Sequence, residues 1–438
     1  MGSRGGNPSV KRRRKAMRIY SVYDVFTPTA PARINFVPRA GLSDQLVNAL
    51  NTPGMQVVVY GESGSGKSTL LKNKLEEIHA KYITTRCTSE TTFSELLLDA
   101  FDRLGPYYVD AVDSGHSRSG GGQLGGQFLM IKASVEAQVS KSSSETSRRL
   151  LSPQLTPQRL VEFLAAQDIF WVIEDFHKVP VETKRPLAET FKIFSDLAAT
   201  YGRAKIVAVG ATDTAREVVE YDSNMANRVA EVLVPLMTVT ELLQILNRGQ
   251  ELLNINLASA TALSVANFSV GLGAVCHRIA LNACLINGVQ ETTAIKMVFS
   301  SEDFDKAIQR YLEDSSDTVK ALFDRALAAA GKGRFANTRL VLEALARGPI
   351  EGLRDTEILE SIRKSVPTYP KGNVTVQLKL LASGDDRAII RQAADGRFRF
   401  SQPVYHFYAQ AFLGVESSEV WDQFATVLRD FIRNIAKR

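Results

Sequence analysis

Short apolar runs and amphipathic segments alternate along the first half of the chain. The runs are rich in β-branched residues and are bounded by Gly, Pro and charged positions, which is typical of buried strands. The segments between them place apolar residues three and four positions apart, which predicts helices. This alternation predicts an α/β fold in which helices cover both faces of a parallel sheet. Predicted strands are 56–60, 82–87, 169–173, 204–209 and 229–234, and predicted helices are 42–51, 67–81, 93–104 and 186–200.

The second half of the chain has a different pattern. Residues 238–315 are almost entirely helical in pattern and predict a small helical lid. Residues 316–413 predict short helices followed by two strands, 388–392 and 397–401, joined by a Gly turn. Three helices and a two-stranded wing are typical of a winged-helix domain. Residues 414–438 then predict a closing amphipathic helix over 418–435, which packs on the winged helix or docks a partner.

Two segments interrupt the predicted elements. Residues 1–16 are predicted to be a disordered basic tail. Residues 105–152 are rich in Gly and Ser and predict an insertion, either a protruding hairpin or a surface loop. The predicted domains are therefore a P-loop core over 17–237 with this insertion, the lid, the winged helix and the final helix.

Composition places the chain among globular proteins. Of its 438 residues, 45% are hydrophobic and 23% are charged, and no apolar run approaches the roughly 20 residues that span a bilayer. A cytoplasmic protein is the expectation. Its three cysteines, Cys87, Cys276 and Cys284, form no zinc-binding pattern and are expected to be buried free thiols.

The net charge of +6 arises entirely from the basic tail. Such a tail can hold nucleic acid by releasing counterions, but it can also be a cloning remnant, since Met17 is a plausible start. The remainder of the chain sums to zero and shows no global bias towards DNA. Six cations lie within the first sixteen residues: Arg4, Lys11, Arg12, Arg13, Arg14 and Lys15.

A glycine-rich octapeptide between the first predicted strand and helix fits the phosphate-binding pattern G-x4-G-K-[ST]. Backbone N–H groups at such a turn, together with the helix N-terminus, suit phosphate oxygens. Lys67 supplies a charge for the β- and γ-phosphates, and Ser68 is a ligand for Mg²⁺. The motif predicts that ATP and Mg²⁺ are bound. Its residues are Gly61, Glu62, Ser63, Gly64, Ser65, Gly66, Lys67 and Ser68, and Thr69 follows.

Glu174 and Asp175 end a buried apolar strand about a hundred residues after the P-loop. Paired carboxylates at such a place are costly unless they meet a cation. One of them can complete the Mg²⁺ shell while the other polarises the attacking water.

These motifs resemble the AAA+ and STAND class of P-loop ATPases, in particular the branch of origin-recognition initiators and TniB-like transposition ATPases. The resemblance covers roughly residues 36–278. Phe36-Val37-Pro38-Arg39 is similar to a box that precedes the P-loop in this class and implies that Arg39 lies near the adenine. The resemblance assigns the magnesium role to Glu174 and the catalytic-base role to Asp175. The usual order of the two acids is swapped here, which implies slow turnover.

Three further positions take a role from the same resemblance. Thr212, after the fourth predicted strand, resembles a sensor of the γ-phosphate, although a helix N-cap explains it equally well. Arg228 occupies the place of an arginine finger, with an ordinary surface arginine as the alternative. Arg278 resembles a second sensor at the start of a lid helix, where His277 or a plain surface role remain alternatives.

The class implies an ATPase that converts ATP to ADP and phosphate and forms rings or filaments with ATP. Two outputs remain open. In the first, the winged helix binds double-stranded DNA through Lys371, Gln377 and Lys379, with wing arginines at 391, 397 and 399. In the second, the protein is a signalling or anti-phage defence switch whose winged helix binds a separate effector protein.

Overall fold

The computed structural model describes residues 18–39, 41–105, 155–211, 223–328, 336–383, 388–393 and 395–413. Its contacts group the chain into two compact units. One unit is formed by residues 38–236, and the other by residues 1–37 together with 237–438. The closing helix predicted at 418–435 lies outside the described residues, as does the insertion predicted at 105–152, apart from Gly105.

The first described segment is anchored in the second of these units. It contains a short helix, α1 (Val22–Val25), which Ser21 caps by accepting from the Tyr23 amide. Phe26 is buried, and its ring lies edge-on to His277 with centroids 6.0 Å apart. The predicted P-loop core included residues 17–37, whereas the structure packs these residues against the helices that follow residue 237.

The unit of residues 38–236 is built on a five-stranded sheet whose neighbouring strands all pair in parallel. The strand order is β2-β3-β4-β1-β5, so only β4 separates β1 from β3. The strands are β1 (Gln56–Tyr60), β2 (Lys81–Arg86), β3 (Ile169–Glu174), β4 (Lys205–Gly210) and β5 (Val229–Leu233).

Helices pack against this sheet and complete its core. Trp171 on β3 is fully buried, and its indole N–H donates to Thr85 Oγ1 at 3.0 Å, so that its polar atom is satisfied. The helices of this unit are α2 (Leu42–Asn51), α3 (Lys67–Glu77), α4 (Phe93–Leu104), α5 (Pro157–Gln167), α6 (Val181–Asp196) and α7 (Ala198–Tyr201).

Helix ends follow the local sequence signals in most places. Thr92 caps α4 in a capping box with Glu95, and Thr156 caps α5 with Pro157 at the first helical position. The exception is α6. The sequence predicts its start at Pro186, but the helix begins at Val181 and contains Pro186 in its second turn. Proline was therefore a misleading start signal here.

The second unit continues with helices and one small sheet. Two three-residue strands pair in parallel between helices, and the predicted lid, almost entirely helical, did not include them. Its next elements are α8 (Val239–Leu253), β6 (Ile255–Leu257), α9 (Ser259–Phe268), α10 (Gly273–Ile286), β7 (Met297–Phe299) and α11 (Ser301–Ala328).

Three helices and an antiparallel ribbon follow α11. This is the element order on which the winged-helix prediction rests. The predicted boundary at 315/316 falls inside α11, which is continuous there. The closing elements are α12 (Asn337–Arg347), α13 (Asp355–Ser365), α14 (Lys371–Ala382), β8 (Ile390–Gln392), β9 (Phe398–Phe400) and α15 (Pro403–Leu413).

Two smaller expectations can be checked directly. All three cysteines are buried free thiols, as predicted. None of the described helices combines the length and the apolar character needed to cross a bilayer.

Candidate nucleotide-binding site

The predicted P-loop connects the end of β1 to the start of α3. Three of its glycines, Gly61, Gly64 and Gly66, have φ values of 146°, 79° and 93°, which L side chains rarely adopt. Gly61 also lies against the chain that leaves β5, because a Cβ atom at this position would be 2.3 Å from Val234 O. A Cβ atom on Gly66 would meet no atom of the described residues within 4 Å. The loop is thus shaped by backbone geometry, with open space beside Gly66.

The helix that follows the loop begins at Lys67, with Gly66 as its N-cap. The first amides of a helix have no intrahelical acceptor, which makes the start of α3 suited to an anion. Lys67 Nζ donates to two carbonyl oxygens of the loop, Gly61 O at 3.0 Å and Glu62 O at 2.8 Å.

Ser65 gives an independent sign of a ligand. Its side chain is 2% exposed, and its hydroxyl oxygen has no hydrogen-bond partner among the described residues. A buried hydroxyl without a partner is costly. Together with the absence of described atoms beside Gly66 and the N-terminus of α3, it fits a loop built to receive phosphate oxygens.

The predicted acid pair lies at the same edge of the sheet as the P-loop. Because all five strands are parallel, the carboxyl ends of β1, β4 and β3 meet along one edge. Their register places Tyr60 opposite Gly210 and Ile173 opposite Ala208. Thr212 follows β4 by two residues and lies outside the described residues.

Glu174 is held between two cations. Its Oε1 lies 3.6 Å from Lys72 Nζ, and its Oε2 lies 3.2 Å from Arg86 Nε. The Glu174 side chain is only 11% exposed, so these contacts compensate for the burial of its charge. Lys72 is on α3, four residues after Ser68, and therefore projects from the same face of that helix. The ion pair thus connects the end of β3 to the P-loop helix.

Asp175 has a left-handed backbone conformation, with φ of 60°, at the end of β3. Its side chain is 43% exposed, and its Oδ1 lies 3.6 Å from Lys178 Nζ. Burial, reinforced by the charge of Asp175, raises the pKa of the Cys87 thiol to about 12. The Asp175 carboxylate therefore lies near the end of β2 and is accessible to solvent.

Arg228 lies at the amino-terminal ends of the strands, opposite the carboxyl ends that carry the P-loop and the acid pair. Its carbonyl accepts from the Gln56 amide, where β1 begins, and its guanidinium pairs with Asp196 at the end of α6. The P-loop follows the other end of β1. A five-residue strand is about 17 Å long, so Arg228 is remote from the P-loop of its own chain.

Arg39 donates to two backbone carbonyls just after β5, Pro235 O at 2.8 Å and Leu236 O at 3.1 Å. The residue as a whole is 9% exposed. These bonds fix the segment that leads out of the P-loop unit, a role that the sequence did not indicate.

The two candidates at the start of α10 differ in exposure. His277 is 5% exposed, and its Nδ1 accepts from the Thr27 amide at 3.3 Å. Burial lowers its pKa to about 4, so it is neutral near pH 7. These contacts make His277 a core residue and argue against a sensor role. Arg278 is half-buried, and its charge opposes the rise in the pKa of Tyr311 that burial causes.

A strand order of 2-3-4-1-5, a P-loop after β1 and an acid pair after β3 define a P-loop ATPase fold of the AAA+ class. Residues 52–219 match the family model described as AAA domain. No curated protein matches the sequence.

Several solved structures are similar to this chain. The Walker-type ATPase PABY2304 of Pyrococcus abyssi is 16% identical, with 86% of this chain and 97% of that chain covered and a TM-score of 0.55. The ORC2 protein of Aeropyrum pernix in its ADPNP–ADP complexes is 12% identical over 96% and 100% of the two chains, with a TM-score of 0.49. The Aeropyrum pernix ORC1 protein in complex with DNA is 14% identical over 94% and 98%, with a TM-score of 0.43.

The family match and the fold support ATPase activity. At 16% identity, the similarity to the Pyrococcus abyssi ATPase establishes the fold alone. The sequence did not indicate three residues that contact the predicted site residues: Lys72 and Arg86, which contact Glu174, and Asp196, which contacts Arg228. Only the strand register and the helix packing bring these pairs together.

Proposed function

We propose that this protein binds ATP with Mg²⁺ at its P-loop and hydrolyses it slowly, as an AAA+ switch that assembles head to tail. The observation that carries the proposal is the P-loop and the acid pair at one edge of a parallel sheet, with only β4 between their strands. In such a site, bound Mg²⁺ would neutralise charge that develops on the phosphates.

Each residue of the proposed site has a role that fits its position. Lys67 leaves the loop carbonyls to contact the β- and γ-phosphates, and the amides from Gly66 to Thr69 hold phosphate oxygens. Ser68 and Glu174 are the residues that would hold Mg²⁺, because the Glu174 carboxylate contacts Lys72 on the face of α3 that also carries Ser68. Asp175 is the general base, since it is the more exposed of the two acids.

Arg228 is proposed to act on a neighbouring copy. Its distance from the P-loop of its own chain leaves only the site of another subunit within its reach. Head-to-tail assembly brings one copy's β5 edge to the next copy's P-loop and produces a ring or a filament. Thr212 and Arg278 are proposed as sensors of nucleotide state, and Arg39 as a support for the segment that links the two units.

Two substitutions test the nucleotide site. Lys67→Ala should abolish nucleotide binding, measured by titration with a fluorescent ATP analogue.

Asp175→Asn should bind ATP with unchanged affinity yet lose at least about 100-fold in turnover, because amides do not accept the proton of the attacking water. A matched control is Asp168→Asn, at an acid outside the proposed site. Normal turnover in Asp175→Asn protein would refute the catalytic assignment.

DNA, or a complex on DNA, is the proposed target of the switch. The element order of α12 to β9 supports a winged helix, and Lys371 and Lys379 are exposed on its third helix, α14. Two of the other candidates are less available. Gln377 accepts from Thr338 Oγ1, and Arg399 is 9% exposed.

One observation favours the alternative of a protein-binding signalling switch. Val376 and Leu380 are 63% and 48% exposed on the outer face of α14, where a DNA-reading helix would carry polar side chains. One measurement distinguishes the two proposed targets. Duplex-DNA binding is measured for a chain that starts at Met17, with ATP, ADP or no nucleotide, across a salt series. Binding that requires ATP and weakens with salt supports DNA as the target. Absence of binding in every state supports a protein effector.

A further inference from the structure

A polar groove runs along one edge of the central sheet. Among the described strands only β3 pairs with β2, so β2 is the edge strand of the described sheet. The groove has a volume of about 740 Å³ and lies between side chains of α3, β2 and α4. Its lining belongs entirely to the unit of residues 38–236 and shares only Lys72 and Arg86 with the contacts of Glu174.

The backbone of β2 can accept another strand. An edge strand presents a row of N–H and C=O groups on its open side, and proteins commonly cover such an edge or interrupt it with proline. At the other edge of this sheet, the Gln45 side chain of α2 donates to Glu231 O of β5. The β2 sequence, Lys-Tyr-Ile-Thr-Thr-Arg, contains no proline and has the β-branched and aromatic residues that favour strand pairing.

The side chains that line the groove suit a peptide better than a polyanion. The lining contains both acidic and basic groups, and the acids are held in place. Arg103 Nε donates to Asp99 at 2.8 Å. Although burial alone would raise the pKa of Asp99, hydrogen bonds from Arg103 and Thr85 lower it. Glu95 is engaged in the capping box of α4. Fixed carboxylates would repel phosphate groups, whereas a peptide backbone offers both donors and acceptors.

The end of the groove near Glu174 carries one excess positive charge. Lys72 and Arg86 share the single carboxylate of Glu174, and the Arg86 side chain is 73% exposed. A second carboxylate placed there would pair with Arg86, because the single charge of Glu174 does not neutralise both cations.

We propose that this groove is a docking site for an extended segment of a partner protein. The segment adds beside β2 as a sixth strand, and one of its acidic side chains pairs with Arg86 and Lys72. Backbone hydrogen bonds supply affinity, and the charge at one end supplies the register. The proposal does not depend on nucleotide hydrolysis and would hold for an inactive protein.

The probe for this site is a displayed library of random dodecapeptides, selected on the full chain and then synthesised for affinity measurements by fluorescence anisotropy. Selected peptides should combine β-branched residues with an acidic residue. Arg86→Ala should weaken their binding at least about tenfold and reduce its dependence on salt. Thr84→Trp, which fills the groove, should abolish binding. Arg185→Ala, at an exposed ion pair on α6, should leave it unchanged.

Hydrogen exchange gives a second readout that needs no substitution. Bound peptide should slow exchange of amides in residues 81–86 and leave those of β5 unchanged. The proposal is overturned if no peptide is enriched, or if enriched peptides bind Arg86→Ala and wild-type protein equally. It is also overturned if the edge is occupied by a second copy of the chain, seen as a concentration-dependent dimer that Thr84→Trp abolishes.

Discussion

Gly61 and Gly66 stand at the two ends of the P-loop and are required for different physical reasons. Gly61 needs both its φ of 146° and its small size, since a Cβ atom would lie 2.3 Å from the backbone at Val234. Gly66 needs only its φ of 93°, because the space around it is open. The first glycine therefore serves the fold, and the second leaves room for a ligand.

Alanine substitutions should separate these two requirements. Gly61→Ala should destabilise the protein by about 2 kcal/mol or more, since backbone must move. Gly66→Ala should cost roughly 1–2 kcal/mol in backbone strain but weaken ATP binding at least about tenfold. Denaturant unfolding and nucleotide titration measure the two effects. Gly372→Ala, in α14 with nothing within 4 Å, is the control and should be neutral or slightly stabilising. Unchanged ATP affinity in Gly66→Ala would contradict the assignment of the open space.

Sequence alone could predict the residues of the site but not their partners. The spacing of the P-loop is a local signal, and the acid pair follows directly from the end of an apolar strand. The ion pairs of Glu174 depend instead on the register that sets Arg86 opposite Glu174 and on the packing of α3. Those relations join residues that are distant in sequence, so no local pattern reports them.

At the scale of elements, the N-terminal segment shows a dependence between distant parts of the chain. Phe26 follows α1 and packs onto α8 at Gly249, where a Cβ atom would be 2.3 Å from its ring. The missing side chain at position 249 makes room for the aromatic ring. Hydrophobic periodicity marks α8 as a helix, but it does not show which segment covers its glycine. The sequence therefore predicted the helix and left this contact unknown.

A double-mutant cycle tests this contact. Phe26→Ala should destabilise the protein by about 3–5 kcal/mol, the usual cost of removing a buried aromatic ring. Gly249→Ala should also destabilise it, because the added methyl group expels the ring. The double variant should lose less stability than the sum of the two single losses, since the methyl group then occupies part of the cavity left by the ring. Thermal unfolding gives the stabilities. Additive losses would show that Phe26 and Gly249 do not share this space.

At the scale of the whole molecule, the position of Arg228 predicts that hydrolysis requires assembly. Arg228→Ala protein should bind ATP normally and lose at least about tenfold in turnover. Mixing it with Lys67→Ala protein should restore part of the activity, because each copy supplies what the other lacks. Arg203→Ala, which removes an exposed arginine paired with Asp168, is the control and should remain active. Failure of the mixture to recover, with a monomeric mass in every nucleotide state, would remove the finger assignment.

Two buried histidines make the unit that contains residues 237–438 sensitive to acid. His277 accepts from the Thr27 amide, and His406 Nε2 lies 2.9 Å from Gln410 Nε2. Burial lowers the pKa of each from 6.5 to about 4. Between these values the unfolded chain binds more protons than the folded chain, so stability falls as the pH decreases.

The stabilising contribution of each neutral histidine should be complete above about pH 6.5 and lost progressively down to pH 4. It amounts to about 3 kcal/mol for each residue. Thermal unfolding of wild-type protein at pH 7, 5 and 4 should therefore show a steep loss. The His277→Gln and His406→Gln variants, less stable at pH 7, should lose less on acidification, because glutamine does not titrate. His79→Gln, at an exposed histidine, should follow the wild type. An equal acid response in all four proteins would assign the loss to carboxylates.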